Sequence, residues 1–331
     1  MKILVTGGTG FTGSHLARRL LQKGHEVVIL DNQEGLFFEE LKQLGAEIHI
    51  GSVADQQLAG KLTQGCDVVH HLAAAFRQVN LPQKIYWKVN VEGTRYLLEA
   101  ALKYGVQKFV YCSTCGVHGD VKQTPSGEDA PIAPADYYQY TKYEGEKLIP
   151  EYVKKGLKVV ILRPAAIYGP GDPGRFLMLF KLVSHGRFLM FGDGQAHYHP
   201  LYIDNLVDAF ELAAASSRDN GETYLIADEK YHTLNHLVTA IAQAMGLNLR
   251  IHQLPFLPLW IAALLTEMVY KPFPGVDPPL FRRRVDWFRQ NRAFSIEKAK
   301  RELGYQPQIG LEQGLAQTAK WYREKGYLQL K

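Results

Sequence analysis

Lys2-Ile3-Leu4-Val5-Thr6-Gly7-Gly8-Thr9-Gly10-Phe11-Thr12-Gly13 joins an aliphatic run to a turn with glycines at 7, 10 and 13, and a helix-like stretch continues from Phe11 to Lys23. A strand that feeds a glycine-rich turn opening a helix is the first half of a βαβ unit. The glycines permit the tight turn and a close backbone approach to an anion. Free N–H groups at the helix N-terminus then meet the negative charge. Such a turn suits a pyrophosphate.

Asp31 ends the next aliphatic run, Glu26-Val27-Val28-Ile29-Leu30, 18 residues after Gly13. A carboxylate there can accept hydrogen bonds from an adenosine ribose. It would repel a 2′-phosphate, and the following Asn32-Gln33-Glu34 brings no arginine to neutralise one. The cofactor expected from this pairing is NAD rather than NADP.

Outward from this turn, short β-branched runs alternate with helix-like stretches as far as Leu162: AEIHI, DVVHHL, KFVYCS and KVVILR are separated by segments at 55–62, 82–104 and 136–154. That rhythm predicts an α/β protein with a Rossmann-type, doubly wound parallel sheet covered by helices on both faces. After Pro164 the pattern changes to Gly/Pro-rich loops, short helices and one further strand candidate, GETYLIA. The expected organisation is a dinucleotide domain over 1–165, joined again by roughly 200–230. A smaller, mainly C-terminal substrate-binding lobe would comprise roughly 166–199 and 231–331.

Composition narrows the function classes. The 331 residues, 46% hydrophobic and 21% charged, can bury a large core. The net charge of +5 is modest and its lysines and arginines are scattered, which argues against nucleic acid and for a small-molecule substrate. Three cysteines are too few for a disulfide framework, and the N-terminal residues run directly into the glycine turn without a signal-peptide pattern, so the expected location is cytoplasmic. Cys112-Ser113-Thr114-Cys115 has C-x-x-C spacing, yet no second Cys/His pair at ligand spacing accompanies it, and no metal is expected. The apolar run Leu254–Leu265 is shorter than the roughly 18–20 residues needed to span a bilayer. It reads either as a core helix or, extended to 254–270, as a candidate for peripheral membrane contact.

Tyr138 and Lys142 stand four residues apart and project from one face of the helix predicted there. Making a phenol a useful base near neutrality requires moving its pKa from about 10 by about three units, roughly 4 kcal/mol. A nearby ammonium is one source of that shift and an oxidised nicotinamide a second.

With these motifs in order, the chain resembles the extended short-chain dehydrogenases/reductases, which hold sugar-nucleotide epimerases, dehydratases and 3β-hydroxysteroid dehydrogenases. The likeness covers nearly the whole chain. It includes His71-Leu72-Ala73-Ala74, Asn90-Val91-Glu92-Gly93-Thr94, Arg163-Pro164 and Tyr168-Gly169-Pro170-Gly171. The resemblance implies that Thr114, Tyr138 and Lys142 are the catalytic residues, with Thr114 aligned through Val117-His118-Gly119. It also implies a cofactor site of Gly7, Gly10, Phe11, Thr12, Gly13, Asp31, Ala73, Asn90, Tyr138 and Lys142. His118 stands where the family usually has tyrosine and reads as a structural variant. A homodimer built on helices near 83–104 and 136–154 is implied as well.

The same resemblance frames the substrate. Dehydratases of the group follow the threonine with Asp-Glu, whereas Cys115-Gly116 follows Thr114, so dehydration is the least favoured branch. Ala166 and Tyr198 stand where sugar-nucleotide enzymes often carry Asn and Arg, and Ser113 and Arg283 complete the candidate substrate residues. The C-terminal region is similar to the 3β-hydroxysteroid dehydrogenase branch. The first expectation is therefore an NAD-dependent dehydrogenase for a 3β-hydroxysteroid-like or otherwise apolar secondary alcohol. A nucleotide-sugar 4-epimerase is the second. A non-catalytic NAD-binding scaffold or redox sensor is the third, and intact Thr114, Tyr138 and Lys142 speak against it.

Overall fold

The computed structural model describes residues 1–76, 81–273 and 278–328. Strands β1 (Lys2–Thr6), β2 (Glu26–Asp31), β3 (Glu47–Ile50), β4 (Val68–His71), β5 (Lys108–Cys112) and β6 (Val159–Pro164) are followed by short β7 (Ala166–Tyr168), β8 (Arg187–Phe191), β9 (His197–Tyr198) and β10 (Pro200–Tyr202). Next come β11 (Asn220–Ile226), β12 (His232–Thr233) and β13 (Arg250–Leu254). Seven of them form one parallel sheet in the order β11-β6-β5-β4-β1-β2-β3. This is the doubly wound α/β architecture expected from the sequence.

The helices along the first part of the chain are α1 (Phe11–Gln22), α2 (Phe38–Gln43), α3 (Gln56–Thr63), α4 (Gln83–Trp87), α5 (Gly93–Lys103) and α6 (Tyr137–Lys154). Later come α7 (Arg175–Val183), α8 (Ile203–Ala215), α9 (Leu234–Ala244), α10 (Phe256–Tyr270), α11 (Arg282–Val285), α12 (Glu297–Leu303) and α13 (Leu311–Glu324). Alternate strand side chains serve opposite faces. Ile3, Val5, Ile29, Val110 and Leu162 pack with Leu16 of α1 and Leu206 and Phe210 of α8. Leu4, Val28, Phe109 and Ile161 pack with Ala59 of α3, Leu97 of α5 and Ile149 of α6. Burial on both faces is why these strands read as continuous aliphatic runs. A further core joins Phe176, Phe180, Phe188, Leu237, Ile241, Leu315 and Tyr322 from α7, β8, α9 and α13.

Two regions differ from expectation. The segment near 82–104 is not one regular helix: a π-helical turn, Lys88–Glu92, lies between α4 and α5. The widened turn carries Asn90, whose side chain holds residues of two other segments. Beyond Pro164, the chain forms several two-stranded pairs, β10-β7, β12-β9 and β13-β8, where one strand was foreseen. Their strands are only two to five residues long.

The apolar run at 254–265 does not enter the core. It starts α10 after Pro255, and only Ala263 of that helix is buried. Pro258 is tolerated because it falls in the first turn, where the N–H has no intrahelical partner. Among the described residues, no helix is long and apolar enough to cross a membrane.

At the C-terminal edge of β11, Asp228 is buried and accepts from the Tyr202 backbone N–H at 2.8 Å and from Asn205 Nδ2 at 2.7 Å. Burial nonetheless pushes its carboxyl up to about 7 from the ordinary 3.8. The folded chain therefore holds this proton more tightly than the unfolded chain. The contribution to stability is complete below about pH 4 and is lost as the pH rises through 7. Asp228→Asn keeps an Oδ1 acceptor for both bonds. It should flatten the fall in Tm between pH 5 and 8, measured by thermal unfolding of both proteins in the same buffers.

Candidate active site

The site is assembled at the C-terminal ends of β1, β2, β4 and β5, where the sheet meets α1 and α6. Gly7 has φ of +70°, and a Cβ placed on it would lie 2.9 Å from the Ala73 nitrogen. A Cβ on Gly13 would lie 2.1 Å from the Gly7 carbonyl oxygen, so α1 packs directly on the turn. Any side chain at 13 must push the turn or the helix aside. Gly10 is the N-cap of α1 and Phe11 and Thr12 its first residues, all partly exposed. Asp31 accepts from the Thr9 backbone N–H at 3.0 Å through Oδ2, and the Thr9 hydroxyl donates to the Gln33 carbonyl at 2.8 Å. The glycine turn and the end of β2 are thereby held together.

A chain of buried polar contacts runs from this turn to α6. The Thr6 hydroxyl lies 2.7 Å from His71 Nδ1 and accepts from the Ala73 N–H at 3.2 Å. His71 Nε2 meets the Thr94 hydroxyl at 2.9 Å, and that hydroxyl donates to the Asn90 carbonyl at 2.7 Å. Asn90 accepts from the Ala75 N–H at 2.8 Å and donates through Nδ2 to the Thr141 hydroxyl at 2.9 Å. Thr141 precedes Lys142.

Asp136 caps α6 by accepting from the Gln139 N–H at 2.8 Å, which fixes the turn bearing Tyr138. The Phe76 ring lies 4.6 Å from the Tyr138 ring. Lys142, one turn on, is 1% exposed, and its Nζ sits 4.1 Å from the centre of the Tyr111 ring with no hydrogen-bond partner among the described residues. Burial lowers its pKa to about 8, so the ammonium still predominates about tenfold at pH 7. A buried, unpaired cation is costly unless a ligand completes it. Thr114 caps the 3-10 turn Cys115–His118 by accepting from the Gly116 N–H at 3.1 Å. Gly116 packs against the Gln139 side chain, where a Cβ would come within 2.9 Å. The loop carrying Thr114 thus rests on the residue beside Tyr138.

A network not foreseen from the sequence lies beneath this loop. Ser113 donates to Glu146, which also receives Arg163 Nε at 2.9 Å and Nη2 at 2.5 Å. Arg163 Nη1 reaches His118 Nε2 at 3.0 Å, while His118 Nδ1 faces the Ala130 carbonyl at 3.0 Å. With Nδ1–H donating to the carbonyl and Nε2 accepting from Arg163, His118 is neutral, and burial followed by Arg163 lowers its pKa. Glu146 lies four residues after Lys142 on α6, the one local hint of this arrangement.

The candidate substrate residues separate. Ser113 is buried, with its hydroxyl committed to Glu146. Ala166 lies half-buried in β7. Tyr198 is buried among Phe176 and Trp287, and its hydroxyl receives Arg175 Nη1 at 3.2 Å. Arg292, paired along the backbone with Tyr198, leaves its Nε without a partner among the described residues. Arg283 pairs with the α6 cap Asp136 at 3.0 Å, bringing α11 to the Tyr138 end of that helix. Cys112 and Cys115 are free thiols pushed up to about 11 and 12 by burial. No group of three or more His, Cys, Asp or Glu able to hold a metal occurs among the described residues.

Residues 3–227 match the model of the NAD dependent epimerase/dehydratase family. The chain is 31% identical to a 3beta-hydroxysteroid-dehydrogenase/decarboxylase isoform 2 of Arabidopsis thaliana, over 95% of this chain and 61% of that protein. It is 28% identical to N-acetyl-alpha-D-glucosaminyl-diphospho-ditrans,octacis-undecaprenol 4-epimerase of Escherichia coli O157:H7, over 96% of this chain and 94% of that protein. It superposes with a TM-score of 0.78 on a dTDP-glucose 4,6-dehydratase from Streptomyces venezuelae solved with NAD bound. That protein is 27% identical, and the match covers 100% of both chains.

Proposed function

The chain belongs to the NAD dependent epimerase/dehydratase family, and from this premise we propose that it is a dehydrogenase that oxidises a secondary alcohol carbon of an apolar, 3β-hydroxysteroid-like substrate. The observation that carries the redox reading is the buried Lys142 ammonium, without a hydrogen-bond partner among the described residues and one helical turn from Tyr138. Gly7, Gly10, Phe11, Thr12 and Gly13 would receive the pyrophosphate and Asp31 the adenosine ribose. Ala73 and Asn90 would line the remainder of the cofactor site, and Lys142 would donate to the nicotinamide ribose. NAD supplies the hydride acceptor when bound.

The chain's own residues handle the proton. Thr114 donates a hydrogen bond to the substrate oxygen, and Tyr138 accepts the hydroxyl proton as the carbon loses hydride. The Lys142 charge stabilises the phenolate form of Tyr138 that does this work. An apolar substrate is favoured by Phe76 beside Tyr138 and by the likeness to a 3beta-hydroxysteroid-dehydrogenase/decarboxylase, and Cys115-Gly116 after Thr114 leaves dehydration the least favoured branch. Residues 1–165 with roughly 200–230 would hold the cofactor, and roughly 166–199 with 231–331 the substrate.

A specific observation favours a second reading. Arg175 and Arg292 flank Tyr198, and Arg283 stands at the α6 cap. Three guanidinium groups near one end of the site would suit the diphosphate of a nucleotide sugar, and a 4-epimerase would return the hydride to the opposite face. Net cofactor reduction separates the two. The dehydrogenase should accumulate NADH, read at its absorbance band, when mixed with NAD+ and a sterol or other apolar secondary alcohol. Conversion of a UDP- or GDP-sugar with no net NADH would establish the epimerase instead.

We further place the enzyme in the cytoplasm as a homodimer, with α4, α5 and α6 as the shared face. Tyr86, Tyr137 and Tyr140 cluster across α4 and α6, and Tyr140 is 40% exposed.

A further inference from the structure

The α10 helix presents an apolar stripe to solvent. Leu257, Ile261, Leu265, Met268 and Val269 are each 44–64% exposed, and they recur at the helical spacing that puts them on one side. Leu254 before the helix and Phe273 after it are exposed as well, at 38% and 59%. Monomeric proteins seldom leave so much contiguous apolar surface in water unless it meets a membrane or another molecule.

Charge around the helix identifies the occupant. Residues 250–292 hold seven lysines and arginines against three acidic residues, which accounts for most of the chain's formal net charge of +5. Of these, Lys271, Arg282, Arg284 and Arg289 are exposed. Arg282 anchors α11 to α10 by pairing with Glu267 at 2.8 Å and lies over the Trp260 ring, and Arg289 lies over Phe256. Arg282 and Arg289 thus flank α10 on the side that carries Phe256, Trp260 and Glu267, with Arg289 also paired with Asp286 at 2.7 Å, and Lys271 stands at the C-terminal end of the helix. Two copies meeting through this face would bring their like charges together, which disfavours self-association here. At 15 residues, the helix is too short to span a bilayer but long enough to lie in its interfacial plane, where aromatic rings such as Trp260 and Tyr270 are favoured.

We propose that α10 is a peripheral docking element for an anionic lipid bilayer: the stripe Leu257, Ile261, Leu265, Met268 and Val269 enters the headgroup region, and the surrounding lysine and arginines meet lipid phosphates. This goes beyond the catalytic reading and does not depend on it.

The test is sedimentation of the full-length protein with phosphatidylcholine vesicles, with and without phosphatidylglycerol, beside the Leu257→Asp/Leu265→Asp variant. The protein should bind the mixed vesicles, with affinity falling at least about tenfold on pure phosphatidylcholine or in the variant. Both positions are exposed, so NAD binding by the variant should match the parent and confirm its fold. Failure to bind the mixed vesicles would overturn the proposal, as would binding indifferent to the double substitution. A monomer–dimer equilibrium shifted by the substitutions, without any effect on lipid binding, would assign the face to a second copy and overturn it too.

Discussion

Tyr138→Phe is expected to lower kcat by about 10²–10⁴-fold, the range for removing a positioned proton acceptor. The substitution keeps the ring, and with it the packing on Phe76 at 4.6 Å and the turn fixed by the Asp136 cap. It removes only the oxygen that accepts the substrate proton. The NAD dissociation constant should therefore change no more than a few-fold, because the glycine turn, Asp31 and Lys142 remain. Single-turnover kinetics together with calorimetric titration of NAD would separate the two effects. A variant with an unchanged chemical step would remove Tyr138 from catalysis and favour a binding scaffold.

Arg163→Met should have the largest effect on stability. Arg163 and Glu146 are 7% and 5% exposed, and their paired contacts at 2.9 and 2.5 Å take both charges out of water. Removing the guanidinium leaves a buried carboxylate with Ser113 as its remaining donor and strips His118 Nε2 of its partner. Breaking such a pair from one side costs about 3–5 kcal/mol. Replacing both charges, as in Arg163→Met/Glu146→Leu, should restore much of the loss because no buried charge is stranded. Urea unfolding of the two single variants and the double variant tests this directly. Additive losses would show that the two side chains act independently. Because Ser113 precedes Thr114, the single variant should also slow turnover more than it weakens NAD binding.

The central sheet was legible because strands buried on both faces leave uninterrupted aliphatic runs, as in Val27–Leu30 and Val159–Leu162. Gly13 could be read equally well, since its requirement comes from one close approach between the turn and α1. The short pairs beyond Pro164 were not legible: β9 is only His197–Tyr198, too short for any periodicity to register. Nor was the Ser113–Glu146–Arg163–His118 network, whose members come from separate segments and meet only through folding. The apolar character of α10 was plain from the sequence, but its placement was not. A helix apolar on nearly every side gives no indication of which side faces the protein.

The three cysteines have a practical consequence. Cys66 and Cys115 are buried and Cys112 half-buried, and burial pushes their thiols up to about 11, 12 and 11 respectively. At neutral pH only about one part in ten thousand or less of each is the thiolate that reacts with alkylating reagents. The natural chain is therefore a quiet background for maleimide labelling. A cysteine introduced at Leu257 should take up a fluorophore or spin label selectively, without prior removal of native cysteines. The depth of that label in a bilayer could then be measured on a protein otherwise unaltered.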